Sequence, residues 1–421
     1  MERFAIVGFG CAGCHALKAI RGAGCAAAVD VYSDTGLPPY NPMLTTYYVK
    51  GTLPYEGMFP FGTMETLLGE LDFTWYDQCA VSQIDAAART VRLSDGRERA
   101  YDKILLSSGA RAFVPPVGDL PQSRIFAMRN VEDAVRLKEA LASGGIRRML
   151  VVGASMVGIK LVELLLAQGV EVVFSDLAEH IFPTAAFEET SRRIEGRLRE
   201  RGVELRFGVK TTHAAQRDGR AEVCFSDGAA VTVDAVAMCI GTRAAVGYVS
   251  PEEILIDRGI VVDEHMRTSA VGIFAAGDCC QGRDLSTGGT RIIGLWASAV
   301  LQGETAGKNM AGLDASYPGN ILHNITHFMG MDFVSFGDKS LPGERRVFQD
   351  RDGRYIEATV ADGRVNCVNL LDLYKNSGAV KDHMLRGLYP HDAPPDPQER
   401  AVLLKSGLPR ELIDLLGGRG Q

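Results

Sequence analysis

Three glycines near the start of the chain have the spacing of a phosphate-binding turn. Gly8, Gly10 and Gly13 follow a short apolar run at residues 4–7 and precede a helical stretch at about residues 14–21. In such a turn the first glycine allows the bend, the second lets the backbone approach a pyrophosphate, and the third lets helix pack on strand. The helix N-terminus then faces the phosphates. This first glycine turn, residues 8–13, predicts dinucleotide binding.

The same pattern occurs again in the middle of the chain. An apolar run at residues 148–152 leads into the second glycine turn, which contains Gly153, Ser155 and Gly158. Ser155 replaces the usual second glycine, and its small side chain should leave room for a phosphate. Taken alone, each turn could be an ordinary tight strand–helix connection. Two copies with matching strands and helices predict two dinucleotides, one of which can be FAD.

An acid closes the strand that follows each turn. Asp34 and Asp176 end apolar runs, where a carboxylate can accept hydrogen bonds from a ribose. An acid at Asp176 suits the free 2′-hydroxyl of NAD and repels the 2′-phosphate of NADP. Leu177 stands where an NADP enzyme would place an arginine. The sequence therefore favours NADH.

Composition excludes several other classes of protein. With 421 residues, the chain is too long for one compact core. A net charge of −7 argues against a general nucleic-acid-binding surface. No apolar run approaches the roughly 18–20 residues of a membrane span, and the first residues enter a strand without a signal peptide. We expect a cytoplasmic protein that binds neither membrane nor nucleic acid.

The cysteines predict neither a disulfide framework nor a metal site. Nine are scattered along the chain, and no pair of CxxC units is present. Cys11 and Cys14, like the adjacent Cys279 and Cys280, could have a redox role. Packing of small side chains in tight turns is the favoured alternative.

Further segments give the chain a resemblance to the pyridine nucleotide-disulfide oxidoreductase superfamily. Residues 101–111 are similar to its first crossover segment, and residues 268–278 to the segment that ends in Gly277 and Asp278. The resemblance extends to about residue 388, and the most similar branch contains NADH-linked ferredoxin, rubredoxin and nitrite reductases. It implies an α/β fold with two Rossmann-like dinucleotide-binding domains, as in glutathione reductase, and a C-terminal α+β interface domain. FAD and NAD are the implied cofactors.

The resemblance also assigns roles to individual residues. In the family, a valine backbone holds the FAD adenine, an aspartate binds the ribityl chain beside a glycine at the pyrophosphate, and a helix carries donors to the isoalloxazine. Trp296 could lie against the flavin or be a core aromatic. The matching positions, together with the two crossovers, are Val81, Ser108, Gly109, Gly241, Gly277, Asp278, Trp296 and Ala297.

The same resemblance predicts the domain boundaries. The FAD-binding domain comprises residues 1–112 and 246–315, and the NAD-binding domain residues 113–245. Residues 316–390 form the interface domain, which in the family commonly pairs two subunits. A proline-rich linker and a terminal helix occupy residues 391–421, and this helix could dock on the chain itself or on a partner.

Departures from the family limit the chemistry. The CxxxxC pair of disulfide-reducing members is missing from the first domain, and Met43 occupies the position of the single catalytic cysteine in other members. A thioether cannot form a mixed disulfide, because the thiolate is the nucleophile. Thiol-based catalysis at the usual site is therefore excluded.

One departure concerns charge near the reaction centre. Two residues past Gly158, the family usually has a glutamate that pairs near flavin N5 with a lysine of the first domain. Here these positions hold Lys160 and Thr46. Our hypothesis is that Lys160 stabilises the anionic reduced flavin or orients an anionic acceptor. In the alternative, Lys160 pairs with a carboxylate elsewhere in the chain.

The combined prediction is a homodimeric flavoprotein that takes hydride from NADH and passes electrons to an acceptor. A small electron-carrier protein such as a ferredoxin or rubredoxin is the leading acceptor, because no dithiol is present to reduce a disulfide. An NADH oxidase, or a reductase of a quinone or organic acid, is one alternative. A non-catalytic flavoprotein subunit or NADH sensor is another.

Overall fold

The computed structural model describes residues 1–388 and 397–418 of the chain. The chain divides into two compact units. Met1–Arg111 and Thr242–Asn320 form the first unit, while Ala112–Gly241 and Ile321–Gln421 form the second. Most of the predicted proline-rich linker, residues 391–396, lies outside the described residues.

The first unit is built on a five-stranded parallel sheet. Phe4 and Ile6 of its central strand are fully buried, as expected for a parallel sheet covered on both faces. The first helix begins at Cys11, three residues before the predicted start, because Gly10 already serves as its N-cap. In spatial order the strands are Ile273–Ala275, Lys103–Leu106, Arg3–Val7, Ala28–Tyr32 and Thr74–Tyr76.

Two helices of this unit pack at very short range. A Cβ at Gly303 or Gly307 of helix Trp296–Met310 would lie within 3.0 Å of the backbone of helix Cys11–Gly22. Small residues therefore bring two chain segments nearly 300 residues apart into backbone contact. Helices Thr45–Lys50 and Met64–Glu70 and 3₁₀ turns Pro42–Leu44 and Tyr55–Met58 complete the helical part. The shorter strands are Val81–Asp85, Thr90–Leu93, Glu98–Ala100, Ala110–Ala112, Thr242–Ala244, Ile260–Val261, Cys280–Arg283 and Thr290–Arg291.

The second unit repeats the parallel architecture and adds an antiparallel meander. The parallel strands, in spatial order, are Glu204–Phe207, Glu171–Asp176, Arg148–Val152, Ala235–Met238 and Ile125–Phe126. The helices are Val131–Ala142, Met156–Ala167 and Glu188–Glu200, preceded by the 3₁₀ turn Gln122–Arg124. The meander consists of Thr211–Arg217, Arg220–Phe225 and Ala230–Val233.

The second unit also contains a five-stranded antiparallel sheet. Its strands, in spatial order, are His323–Phe328, Met331–Gly337, Arg364–Leu371, Tyr355–Ala361 and Glu344–Gln349. Fully buried Asn369 joins this sheet to the segment that precedes helix Glu188–Glu200. Its Oδ1 accepts a hydrogen bond of 2.7 Å from the Phe187 amide. Lys339 adds a bond of 2.8 Å to the Ala186 carbonyl. These two polar side chains, one buried and one partly buried, therefore connect the antiparallel sheet to residues 186 and 187.

The described part of the C-terminal tail packs on its own chain. Helices Pro397–Lys405 and Arg410–Leu416 contact helix Ser377–Leu388, which follows the 3₁₀ turn Tyr374–Asn376. Leu403, Leu412 and Ile413 are fully buried, and buried His383 donates from Nε2 to the Ile413 carbonyl at 3.0 Å. Of the two alternatives for the tail, the structure shows docking on this chain.

Gly13→Ala tests the packing of the first glycine turn. A Cβ at Gly13 would lie within 3.0 Å of the Gly8 carbonyl oxygen, which is backbone and cannot move aside. We expect a loss of about 1–3 kcal/mol of stability from overpacking, measured as a lower Tm. The control is Gly22→Ala in the same helix, where a Cβ meets no described atom within 4 Å. Equal Tm values for the two variants would contradict this account.

Candidate functional site

The first glycine turn has the geometry that a phosphate requires. Gly8 adopts a φ of +94°, and a Cβ there would lie 2.5 Å from the Ser107 carbonyl oxygen. Gly10 differs, because a Cβ at this position meets no described atom within 4 Å. Gly8 and Gly13 thus serve the packing of the turn, whereas Gly10 borders open space that a ligand can enter.

The helix that follows this turn presents its amides to that space. Gly10 caps helix Cys11–Gly22 without a side chain, and no described side chain caps its first turn. Amide N–H groups left in this way at a helix N-terminus bind phosphate. The residues present therefore fit a pyrophosphate.

Gly277 and Asp278 lie beside the first turn, as their predicted role requires. Gly277 has a φ of +85°, and a Cβ there would lie 3.1 Å from the Ala12 side chain. Buried Gln302 fixes this backbone, since its Oε1 accepts a hydrogen bond of 2.8 Å from the Gly277 amide. Asp278 is partly buried. The sequence did not predict this contact, because Gln302 lies in helix Trp296–Met310 whereas Gly277 follows strand Ile273–Ala275.

The remaining predicted FAD residues lie in the same unit. Asp34, the predicted ribose ligand, forms an exposed ion pair of 2.9 Å with Arg111. This pairing was not predicted from the sequence. Ser108 donates to the Ala245 carbonyl at 2.7 Å and accepts from the Tyr248 hydroxyl at 2.9 Å. Val81 is partly buried at the start of its strand, and Gly109 has a φ of +69°.

Trp296 and Ala297 begin helix Trp296–Met310. The Trp296 ring stacks on Phe61 with centroids 5.9 Å apart and is packed against the core of the first unit. Ala297 is exposed, and this helix also starts without a cap from any side chain in the described part of the chain. Its first-turn amides are thus available to a ligand acceptor. Buried Thr46 lies in helix Thr45–Lys50 of the same unit.

Burial raises the thiol pKa of the four cysteines for which a redox role was considered. Burial raises the pKa of Cys11 to about 12 and that of Cys14 to about 11. Burial likewise raises the pKa of Cys279 to about 11 and that of Cys280 well above its ordinary value. Because the thiolate is the nucleophile, raised pKa values of this kind disfavour a redox role for the four cysteines. This supports the packing role.

The second glycine turn follows the same design with one internal cap. Gly153 has a φ of +112°, and a Cβ at Gly158 would lie within 3.0 Å of the Gly153 carbonyl oxygen. Ser155 Oγ accepts from the Gly158 amide at 3.1 Å and donates to the Cys239 carbonyl at 2.8 Å. The serine hydroxyl is therefore used within the turn, where it caps helix Met156–Ala167.

Asp176 supports this turn through hydrogen bonds to the backbone. Its Oδ2 accepts from the Ala154 amide at 2.6 Å, and its Oδ1 from the Ala178 amide at 2.8 Å. The next side chain, Leu177, is 69% exposed. Gly241 has a φ of +102° and, like Gly10, borders space free of described atoms within 4 Å of a Cβ. These residues fit a second dinucleotide.

Lys160 is paired with a carboxylate of its own helix. Its ammonium lies 2.5 Å from Glu163 and donates to the His327 carbonyl at 2.7 Å. Glu163 also accepts from the Met329 amide at 3.1 Å. The structure thus shows the alternative in which the lysine charge is compensated. Sequence analysis missed Glu163, although its i,i+3 spacing on a helix was a usable signal.

The part of the chain that the structure describes contains neither a metal-binding cluster nor a membrane-spanning helix. Within residues 1–388 and 397–418, no three side chains of His, Cys, Asp or Glu are grouped to hold a metal ion. Among the same residues, no helix has the length and apolar character of a membrane span.

The chain belongs to the pyridine nucleotide-disulphide oxidoreductase family, whose model matches residues 2–303. The predicted family, the α/β class with Rossmann-type domains and the cofactors FAD and NAD are therefore confirmed. Members of this family are NAD(P)H-dependent flavin oxidoreductases, and this chain is one of them.

Individual proteins show the same similarity. The chain is 26% identical over 396 residues to the NADH-dependent phenylglyoxylate dehydrogenase subunit epsilon of Aromatoleum evansii, covering 91% of each chain. It is 24% identical to a rubredoxin-NAD(+) reductase of Pseudomonas putida, covering 74% of this chain and 81% of that one. The water-forming NADH oxidase of Lactobacillus brevis shares the fold with a TM-score of 0.86 at 21% identity, covering 96% and 99%.

A double-mutant cycle on Lys160 and Glu163 tests their pairing. Each side chain is less than one fifth exposed, so removing one partner leaves a poorly solvated charge. We expect Lys160→Met and Glu163→Gln each to cost on the order of 2 kcal/mol, below the roughly 3–5 kcal/mol of fully buried pairs. The double variant should lose less than the sum of the two, measured by denaturant unfolding. Additive losses would contradict a direct pair.

Proposed function

We propose that this chain passes electrons from NADH through FAD to a small electron-carrier protein of the ferredoxin or rubredoxin type. The observation that carries the proposal is the pair of glycine turns, one in each unit, each leading into a helix N-terminus. The lack of a CxxxxC pair, together with Met43 at the usual cysteine position, supports an acceptor other than a disulfide. A relative named as a rubredoxin reductase agrees with such a carrier.

The residues of the chain would bind and position the two nucleotides. Bound FAD supplies the chemistry, because a flavin accepts hydride and can release electrons to an acceptor. Amides of the first glycine turn and of helix Cys11–Gly22 hold the phosphates, while Asp34 binds the ribose. Val81, Ser108, Gly109, Gly277, Asp278, Trp296 and Ala297 complete the FAD site. Gly153, Ser155, Gly158, Asp176 and Gly241 form the NADH site.

The domain roles follow from this assignment. We propose residues 1–112 and 246–315 as the FAD-binding domain, residues 113–245 as the NAD-binding domain and residues 316–390 as an interface domain that forms a homodimer. Residues 391–421 are the proposed linker and terminal helix. The nine free thiols support a reducing compartment, the cytoplasm.

The ion pair changes the role proposed for Lys160. Glu163 compensates its charge and also binds the Met329 amide, so the pair connects helix Met156–Ala167 to the turn after strand His323–Phe328. We propose that Lys160 positions this helix instead of standing as an isolated cation. Thr46 carries no charge, and its hydroxyl faces the Met43 carbonyl at 3.5 Å.

A second candidate function is an electron-transferring subunit of a larger NADH-linked enzyme. The relative from Aromatoleum evansii is named as a subunit, and the similarity covers 91% of both chains. In this case the acceptor would be a neighbouring subunit instead of a diffusible carrier.

Anaerobic stopped-flow spectroscopy tests the proposed function. We expect the yellow protein to be bleached rapidly by NADH and more slowly by NADPH, and to reoxidise slowly in air. Rapid reoxidation in air would instead support an NADH oxidase. Failure of both nucleotides to bleach the flavin would overturn hydride transfer and leave a structural or sensing flavoprotein.

Leu177→Arg tests the nucleotide preference. The exposed side chain follows Asp176, where a cation can attract the 2′-phosphate of NADPH. We expect kcat/KM for NADPH to rise about ten-fold, the factor that ~1.4 kcal/mol represents, with little change for NADH. The control is Leu313→Arg, which places the same charge at an exposed position of the other unit. An equal effect of the two variants would contradict the assignment of the ribose site.

A further inference from the structure

A buried aromatic residue of the second unit has an unfavourable backbone conformation. Phe182 is only 1% exposed and has a φ of +55°. In this left-handed region the Cβ atom of an L-residue crowds its own backbone, so aromatic residues rarely adopt it. Such a conformation persists only where the surrounding structure holds it, and it is typical of functional sites. The groups that hold Phe182, and the group that its backbone reaches, therefore indicate its role.

The backbone of Phe182 reaches the second glycine turn. Its amide donates a hydrogen bond of 2.8 Å to the carbonyl oxygen of Ala154, the residue between Gly153 and Ser155. The amide of Ala154 donates in turn to the Asp176 carboxylate at 2.6 Å. Ala154 is fully buried. Both backbone polar groups of this residue are thus engaged, which fixes the orientation of the turn proposed to bind the NADH phosphates.

Two aromatic rings of the five-stranded antiparallel sheet hold the Phe182 side chain. The rings of Phe182 and Phe333 are stacked with centroids 4.9 Å apart, and the ring of Phe328 lies edge-on at 6.0 Å. Phe328 and Phe333 are fully buried. Aromatic pairs in these geometries gain stability beyond that of burial alone. The sheet therefore anchors the ring of a residue whose backbone would otherwise leave the left-handed region.

Polar side chains of the same sheet fix the backbone that follows Phe182. The amides of Ala185 and Ala186 donate to the Phe182 carbonyl at 2.9 and 2.8 Å. The Ala185 carbonyl accepts from the buried side chains of Ser335 at 3.1 Å and Asn369 at 3.0 Å. Buried polar side chains of this kind hold a backbone in one arrangement, because leaving them unpaired is costly. The sheet thus sets the conformation of the loop at residues 182–186.

We propose that Phe182 is a positioning residue of the NADH site, through which the antiparallel sheet fixes the shape of the second glycine turn. The inference rests on the proposed function and adds to it a residue outside the turn. When the aromatic stack is loosened, the Phe182 backbone can relax and withdraw its amide from the Ala154 carbonyl. NADH affinity then falls, although no residue of the sheet belongs to the glycine turn.

Two matched substitutions in one strand test the proposal. Phe333 and Phe336 are both fully buried in strand Met331–Gly337. Phe333 stacks on Phe182, whereas the Phe336 ring lies 6.3 Å from that of His323. We expect Phe333→Leu to weaken binding of NAD+ about five-fold, as the loss of one hydrogen bond would. Phe336→Leu should bind NAD+ as the native protein does, measured by titration calorimetry on the FAD-loaded protein.

Stopped-flow reduction by NADH separates positioning from a general loss of structure. Both variants remove core volume and should lower the Tm by similar amounts. For Phe333→Leu, we expect the NADH concentration at half-maximal rate to rise about five-fold and the limiting rate of flavin reduction to stay unchanged. Equal NAD+ affinities of the two variants would overturn the proposal. A native protein that binds neither NAD+ nor NADH would refute the proposed function instead.

Phe182→Ala tests the same contact from the loop. It keeps the unfavourable backbone conformation and removes the ring that holds it, so NAD+ binding should weaken at least as much as in Phe333→Leu. Because both substitutions break one stack, the double variant should bind NAD+ little more weakly than Phe182→Ala alone. Additive losses would contradict a shared path through the stack.

Hydrogen exchange of the native flavoprotein needs neither a variant nor turnover. Peptide exchange is followed by mass spectrometry with and without NAD+. We expect bound NAD+ to slow exchange in residues 181–187 and 328–334 as well as in the glycine turn, because ordering of the turn extends to the residues that hold it. The edge strand at residues 344–349 is the internal control and should not change. Protection confined to the glycine turn would contradict the proposal.

Discussion

Both nucleotide turns depend on one close approach of backbone to backbone. The third glycine of each turn lies against the carbonyl oxygen of the first, Gly13 on Gly8 and Gly158 on Gly153. No side chain fits there, so each helix is held directly on its strand with its N-terminus at the carboxyl edge of a parallel sheet. The positions of the two acids follow from the next strand of the same sheet, because Asp176 ends that strand and Asp34 lies two residues past its last residue, Tyr32.

The two turns share this contact but differ in what satisfies their amides. The first helix begins without a cap from any side chain in the described residues, so its N–H groups need a resident acceptor. In the second turn, Ser155 and Asp176 already accept from Gly158 and Ala154. When its ligand leaves, a turn with internal acceptors has fewer amide N–H groups without a hydrogen-bond partner. This difference suits the proposed assignment, in which a flavin stays bound at the first turn and a nicotinamide exchanges at the second.

Local spacing explains why the sequence predicted some features and not others. Each turn and its acid lie within about thirty residues of each other, so a single local sequence pattern predicts both. Gln302 and Tyr248 could not be predicted, because they reach Gly277 and Ser108 from 25 and 140 residues away. The pairing of Lys160 with Glu163 could have been predicted from their i,i+3 spacing. The family resemblance instead suggested a partner for this position in the first domain. The start of the first helix was misplaced because Cys11 and Ala12 were assigned to the turn.

Lys160 and Lys381, both in the second unit, differ in how the chain compensates their charge. Lys160 has a carboxylate and a carbonyl as acceptors, so its charge is satisfied within the chain. Lys381 has a neutral imidazole, and burial lowers the pKa of both partners. Compensation within the chain therefore gives Lys160 a structural role, because its charge is neutralised before any ligand binds.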